Sequence, residues 1–413
     1  MKITQIKAIE ILDSRGKPTI RTFVFFDNDI YASSSVPSGA STGSHEAVEL
    51  RDSDNTRYHG AGVLKAVDNV NKIIAPKLVE FEINEKSFEK IDKLMIELDA
   101  TENKSNLGAN AILSVSQALL RVYSLAIKKP LWQILNQVYF TGIKPDFPRL
   151  MVNVVNGGKH ANWNFDIQEF MISPKANVPT HSVRIASEIF QQLGKNLKEK
   201  GLSILVGDEG GYSPALKNNH QVFETIIESA KKIGYENENQ YQLAIDSAAS
   251  EFYQDGFYFF KKDNKKMTTY DLIDYYKALK EKYKIFSFED PFAENDWDGF
   301  QKFTSQINAL VVGDDIYTTD SKLIEKGIIQ KTSNAVLIKP NQIGTIYETA
   351  KAINLAKKNH WKIVISHRSG ETEDSFIADL AYAAASDFIK TGSMSRSERL
   401  AKYNRLIEIE NFL

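Results

Sequence analysis

The sequence predicts an α/β protein, with an N-terminal α+β domain followed by an irregular eight-stranded (β/α) barrel. Three observations carry this. First, eight short apolar runs recur in the second part of the chain, and most end in polar or charged residues. They are MVNVVNGGKH (151–160), FDIQEFMI (165–172), SILVGDEGG (203–211), QLAIDSAAS (242–250), KIFSFEDPF (284–292), LVVGDDIY (310–317), NAVLIKPNQIG (334–344) and KIVISHRSG (362–370). Second, helical spacing lies between most of them, as over 267–283, 343–359 and 373–385. Strands alternating with helices imply a parallel sheet, and eight such runs suffice to close a barrel. Third, only about eight residues separate the first two runs, too few for a crossover helix. The barrel is therefore expected to begin with an antiparallel pair.

The elements before it follow in order. Residues 2–12, 19–26 and 30–34 are rich in Ile, Val, Phe and Tyr and read as strands of a meander. Gly16–Lys17–Pro18 and Asp27–Asn28–Asp29 supply the turns. Val63, Ala66, Val67, Val70, Ile73 and Ile74 then share one helical face, and 86–98 and 109–128 repeat the pattern. Residues 140–149 carry two prolines and a glycine without periodicity. The domain boundary is placed there, giving domains 1–139 and 140–413.

Composition removes several function classes. Lys and Arg number 51 against 53 Asp and Glu, a net charge of -2, which argues against a general nucleic-acid binder. Cysteine is absent, so disulfide frameworks, thiol catalysis and Cys-ligated metals are excluded. Lys2, Lys7, Glu10 and Asp13 break up the N-terminus, leaving no apolar signal core. No stretch approaches the length of a membrane span. The expected location is the cytoplasm.

The unusual residues sit at the ends of the runs, where a barrel gathers its reactive groups. Asp246, Glu289 and Asp314 end three consecutive runs. Each alone could cap a helix or join an ion pair. Three together favour a shared oxygen-ligated cation such as Mg²⁺, since a buried acid is costly unless paired or coordinating. Lys339 and Lys390 end two further runs, VLIK and FIK. Two converging lysines are expected to depress each other's pKa, so that one can act as a base. Either lysine alone would read as a surface residue. Glu209 lies in the glycine-flanked GDEGGY and could be held desolvated, as a general acid must be. The plainer reading is a tight turn. Glu169, within IQEFM, could stand beside it or pair with a base. Arg368, in SHRSGET, offers a planar fork for phosphate. The same segment could simply open the next helix, with Ser369 or Thr372 as cap. His160 lies in a loop that could close over the site, and PSGASTG (37–43) could be a lid.

At these residues the sequence resembles the enolase family, nearly end to end. The matching segments include DSRGKPT (13–19), VPSGASTG (36–43), LDATENKSNLGANAI (98–112), NVVNGGKHA (153–161), DIQEFM (166–171), VGDEGGY (206–212), SFEDPF (287–292), LIKPNQIGT (337–345), ISHRSGETED (365–374) and IKTGSMSRSERLAKYN (389–404). The resemblance implies a barrel of ββαα(βα)₆ type and reversible dehydration of 2-phospho-D-glycerate to phosphoenolpyruvate. It implies two Mg²⁺ ions per site. Asp246, Glu289 and Asp314 would hold the first, and Ser41 of the lid would join the second when substrate binds. Lys339 would be the base and Glu209 the acid, with Glu169 and Lys390 in support. His160, Gln168, Glu169, His367, Arg368, Ser369 and Lys390 would be substrate-binding or lid positions. It also implies a homodimer or an octamer of dimers, with a cell-surface or secreted fraction as a family association. Sugar-acid dehydratases and racemases of the same superfamily carry Lys-x-Lys where this chain has Gln168–Glu169–Phe170. A non-catalytic scaffold would be expected to have lost motif residues, and none is lost here.

Overall fold

The computed structural model describes every residue except Asn28, residues 40–42, Asn162, Asp263 and Leu413, together with the side chain of His160. Strands β1 (Ile3–Leu12), β2 (Pro18–Phe26) and β3 (Tyr31–Ser35) form an antiparallel meander. Asp13 shapes the first turn by accepting from the backbone N–H groups of Arg15 and Lys17 at 2.8 and 2.9 Å. Gly16 takes the positive φ of 71° that this turn requires. The helix Ala109–Ala126 packs across the sheet and is buried over nearly its whole length. No single helix among the described residues is long and apolar enough to cross a membrane.

The barrel is closed by β4 (Arg149–Asn156), β5 (Glu169–Pro174), β6 (Tyr241–Asp246), β10 (Ile285–Glu289), β11 (Leu310–Gly313), β12 (Ala335–Ile338), β13 (Lys362–Ser366) and β14 (Phe388–Lys390), in that spatial order. A small sheet of β7 (Tyr253–Gln254), β8 (Phe257–Phe260) and β9 (Lys265–Met267) is inserted after β6. Strand β5 runs antiparallel to both its neighbours, so the barrel opens irregularly as expected. Helices Pro179–Glu199 and Asn219–Lys232 follow it, and six βα units complete the ring.

One expected strand is absent. Residues 203–211 form a loop with only an isolated bridge between Val206 and Tyr212. Ile204 and Leu205 are exposed, at 47% and 77%. The run is apolar but finds no partner strand, and its glycines fold it into a turn. The short FIK segment closes the ring instead, pairing with β13 on one side and β4 on the other.

Inside the barrel, Met151, Met171, Ala244, Val312, Ala335, Leu337, Val364 and Phe388 form a separate buried cluster. Side chains alternate along a strand. The inward position two residues beyond this cluster, at the mouth, is therefore Asn153 on β4, Glu169 on β5, Asp246 on β6, Asp314 after β11, Lys339 after β12 and Lys390 on β14.

The N-terminal domain is tied to the barrel at several places. Ser38 and Gly370 exchange backbone hydrogen bonds at 2.7 and 2.9 Å. Gly370 is needed there, because a Cβ would lie 2.4 Å from both Arg15 and Asp13. Farther out, the N-terminus of the barrel helix Ile346–Lys358 is capped from the other domain. Tyr347 N–H donates to Asp92 Oδ2 at 2.9 Å, and Ile346 N–H donates to Ser116 Oγ at 3.2 Å.

Candidate active site

The mouth holds a pocket of about 450 Å³ that is open to solvent on one side. Lys390, on the strand that closes the barrel, is 3% exposed and lies among three acids. Its Nζ is 3.1 Å from Glu169 Oε1, 2.9 Å from Asp246 Oδ2 and 2.8 Å from Glu289 Oε1. The three acids meet because their strands adjoin in register, Glu169 opposite Asp246 and Asp246 opposite Glu289. Asp314 stands one strand farther on. It accepts from Lys339 Nζ at 2.5 Å and from Gln342 Nε2 at 2.9 Å. Lys339 itself is extended, at φ −124° and ψ 105°, and Pro340 opens a short helix directly after it.

These contacts reverse one expectation. Burial disfavours a charged amine, but around each lysine the carboxylates win. Asp314 raises the pKa of Lys339, and Asp246, Glu169 and Glu289 raise that of Lys390 well above its usual value. The two lysines do not depress one another, because each is surrounded by acids before it meets the other. Among the acids, burial pushes Glu169 and Glu289 well above the carboxylate range, with Glu209 adding to the first and Asp246 to the second. Burial acts on Asp314 too, but Lys339, Arg368 and Gln342 bring it below its ordinary value.

Glu209 is 3% exposed, as expected of a desolvated acid. Its Oε2 accepts from Asn153 Nδ2 at 2.9 Å, and its Oε1 lies 3.6 Å from His367 Nε2. Gln168, His367 and Ser369 are all buried at the pocket wall. The guanidinium of Arg368 faces Glu46 of the N-terminal domain rather than open space, with Nη1–Oε2 at 2.9 Å and Nη2–Oε1 at 3.0 Å. Neither Ser369 nor Thr372 caps a helix. The next one starts at Phe376, whose N–H donates to Asp374. Ser41 and the side chain of His160 lie outside the described residues.

Several residues of this arrangement were not foreseen. Asn153 could have been found by counting two positions on from Met151. Glu46 had no signal beyond its nearness to the lid segment. Asp290 accepts from the N–H groups of Asp314 and Asp315 at 2.8 and 2.9 Å and so fixes the turn carrying Asp314. Asp290, Asp314 and Asp315 are also the group, among the described residues, whose ligand atoms approach within 4.8 Å of one another. Asp290 has both oxygens engaged by that turn, which makes it a brace for Asp314.

A divalent cation fits this chemistry. Carboxylates at the mouth outnumber Lys339, Lys390 and Arg368, and burial makes each uncompensated charge costly. Glu169 Oε2 and Gln168 Oε1 are buried acceptors with no hydrogen-bond donor among the described residues. The donors are all oxygen, which suits Mg²⁺.

Fold and mouth define a class: a two-domain barrel enzyme that sets lysines against carboxylates for acid–base work on an anionic, cation-bound substrate. Comparison with known proteins narrows it. The family model described as Enolase, N-terminal domain, matches residues 3–135, and that described as Enolase, C-terminal TIM barrel domain, matches residues 145–413. The enolase of Ehrlichia chaffeensis (strain Arkansas) is 48% identical over 415 residues, spanning 100% of this chain and 96% of its own length. The chain belongs to the enolase family. It is a carbon–oxygen lyase of glycolysis that dehydrates 2-phospho-D-glycerate to phosphoenolpyruvate, and the family is Mg²⁺-dependent.

Proposed function

We propose that the reaction is divided between two sides of the barrel mouth, with Lys339 as base and Glu209 as acid. The observation that carries this is the strand order. In the ring β4-β5-β6-β10-β11-β12-β13-β14, the strand before Lys339 is fourth from β5, diametrically opposite the strand that bears Glu169. Glu209 is anchored beside Glu169 through Asn153 of β4. Base and acid thus face each other with the pocket between them, as an anti elimination requires.

In this reading the amine of Lys339 takes the proton on the carbon next to the substrate carboxylate. The electron pair left behind forms the carbon–carbon double bond. The carbon–oxygen bond at the neighbouring position breaks, and the hydroxyl leaves as water with the proton supplied by Glu209. Asp246, Glu289 and Asp314 would hold the first cation, and Ser41 would join the second. When bound, Mg²⁺ would supply positive charge for the substrate carboxylate. Asp314, one of the residues that would hold it, is also the group that holds Lys339 charged. A Lys or His base with Mg²⁺ is general to enolase-superfamily sites. Lys390 keeps Glu169, Asp246 and Glu289 in one place, so that removing one proton does not scatter the like charges around it. Arg368 offers a fork that matches phosphate oxygens once Glu46 yields it. His160, Gln168, His367 and Ser369 complete the substrate wall.

The domain boundary is placed between 139 and 140, after helix Leu131–Tyr139 and before the irregular stretch that leads to β4. Family membership further suggests a cytoplasmic homo-oligomer, dimer or octamer, with a surface or secreted fraction. Light scattering of the purified chain measures the first of these.

The deciding experiment follows 2-phosphoglycerate in deuterium oxide. Exchange of the α-proton and formation of phosphoenolpyruvate are read separately in Lys339→Ala and Glu209→Gln. Loss of both signals in Lys339→Ala, with only the second lost in Glu209→Gln, is the expected pattern. Equal loss of both in Glu209→Gln would show that the roles are wrongly divided.

A further inference from the structure

Arg399 lies on the last helix, Ser397–Asn411, and is fully buried. Its guanidinium is directed at two loops of the mouth. Nη1 donates to Arg368 O at 2.6 Å and contacts His367 Nδ1 at 2.7 Å. Nη2 donates to Ser369 O at 2.6 Å and to Asp208 O at 3.0 Å. One side chain therefore ties the loop after β13 to the loop that carries Glu209.

The contact with His367 has a chemical consequence. A guanidinium offers only donors and does not deprotonate. Nδ1 of His367 must accept. A neutral imidazole that accepts at Nδ1 carries its hydrogen on Nε2. That nitrogen is 3.6 Å from Glu209 Oε1 and has no hydrogen-bond partner among the described residues. The charged groups facing the ring are Glu209, Arg399, Lys390 and Lys402. Burial, Arg399, Lys390 and Lys402 oppose a positive imidazole and outweigh Glu209, which favours one, so its pKa falls well below the usual value.

We infer that Arg399 is a positioning residue for proton delivery: by fixing His367 as an Nε2–H donor, it closes the imidazole as a destination for the proton of Glu209. With the other tautomer, Nε2 would be a bare acceptor beside an acid, and the acid's proton could pass to the ring. A hydrogen already on Nε2 prevents this and keeps the proton available to the departing hydroxyl. The tautomer stands on the Arg399 geometry alone. Its use in catalysis rests on the reading of Glu209 as the acid.

Selective ¹⁵N-histidine labelling of the full chain tests both parts. The His367 signals are identified by their loss in His367→Gln. The wild-type ring is expected to show a bare Nδ1 and a protonated Nε2, unchanged from about pH 5.5 to about pH 8. A protonated Nδ1, or a ring that titrates near its ordinary value, would overturn the inference whatever Glu209 does. In Arg399→Lys a single ammonium cannot hold both loops and the ring, so a mixture of tautomers is expected. Its kcat for dehydration should fall about a hundredfold, while KM stays within about threefold and α-proton exchange is kept. Exchange and dehydration falling together, or KM rising alone, would make Arg399 merely structural and sink its positioning role. If Arg399→Lys does not fold, the wild-type tautomer still decides the first part. His367→Gln and His367→Leu then decide the second: neither side chain can take the proton, so the two should dehydrate at rates within about threefold of each other, and a difference of about tenfold or more would show that a hydrogen bond at this position, not proton blocking, is what dehydration needs and refute the use. Normal dehydration by Glu209→Gln would remove the acid, and the proton-blocking role with it, while leaving the tautomer result in place.

Discussion

The guanidinium of Arg368 and the carboxylate of Glu46 form a two-pronged pair across the domain junction, both side chains less than a tenth exposed. It is the geometry a phosphate would use, occupied by a residue of the other domain. Breaking a buried pair strands the remaining charge, at a cost of about 3–5 kcal/mol. Glu46→Ala should therefore lower the unfolding midpoint measurably in scanning calorimetry. A midpoint unchanged from wild type would mean that the pair behaves like an exposed one. Arg368→Lys keeps the charge and loses the fork, and its KM for 2-phosphoglycerate should rise about tenfold or more.

Removal of divalent cations should abolish product formation. Dialysis against EDTA, followed by an absorbance assay for phosphoenolpyruvate, is expected to give no turnover, and added Mg²⁺ to restore it. Asp314→Asn should weaken binding of Mn²⁺, followed by its paramagnetic resonance, by at least about tenfold. Undiminished Mn²⁺ binding would remove Asp314 from the ligand set.

Lys339→Ala should show no α-proton exchange above background. The variant is expected to fold, because only Asp314 loses a strong partner and Gln342 still donates to it. Exchange at the wild-type rate would place the base elsewhere.

Glu209→Gln should retain exchange while dehydration falls about 10²–10⁴-fold. Asn153→Ala, which removes the donor to Glu209 Oε2, should give a smaller loss in the same direction. An Asn153→Ala rate equal to wild type would show that the anchor is dispensable.

Asp92 gives a pH signature of stability. Burial pushes its carboxyl up to about 7, against bonds from Tyr347 N–H and Ser116 that pull it down. A carboxyl raised on folding binds its proton more tightly in the folded chain. Its contribution is fully present below about pH 4 and is lost as the pH rises through about 7. Asp92→Asn removes that loss. The variant should gain on wild type by up to about 4 kcal/mol between pH 4 and pH 8, read as a widening gap between denaturation midpoints. A gap that does not change with pH would mean Asp92 is charged in the folded protein.

Much of this was legible beforehand, for identifiable reasons. The meander strands announced themselves by their β-branched and aromatic residues and by turn residues, and the antiparallel start of the barrel followed from a gap too short for a helix. The acids at 246, 289 and 314 stood out because a carboxylate at the end of an apolar run has to be explained. The 203–211 run misled because apolar composition does not supply a partner strand. FIK is only three residues long, and its place in the ring depends on the neighbours it pairs with. Glu46 and Arg399 were invisible because each acts on residues more than thirty positions away, through contacts that no local pattern encodes.

The sequence by itself determined which elements form and which chemical groups stand at strand ends, because period, turn chemistry and charge are local properties of the chain. Only the tertiary structure decided which groups neutralise one another. It put Lys390 among three acids and Lys339 on a fourth, and it gave Arg399 the imidazole of His367. Those outcomes depend on strand order and register, and Coulomb and hydrogen-bond forces act over a few ångströms that only folding sets.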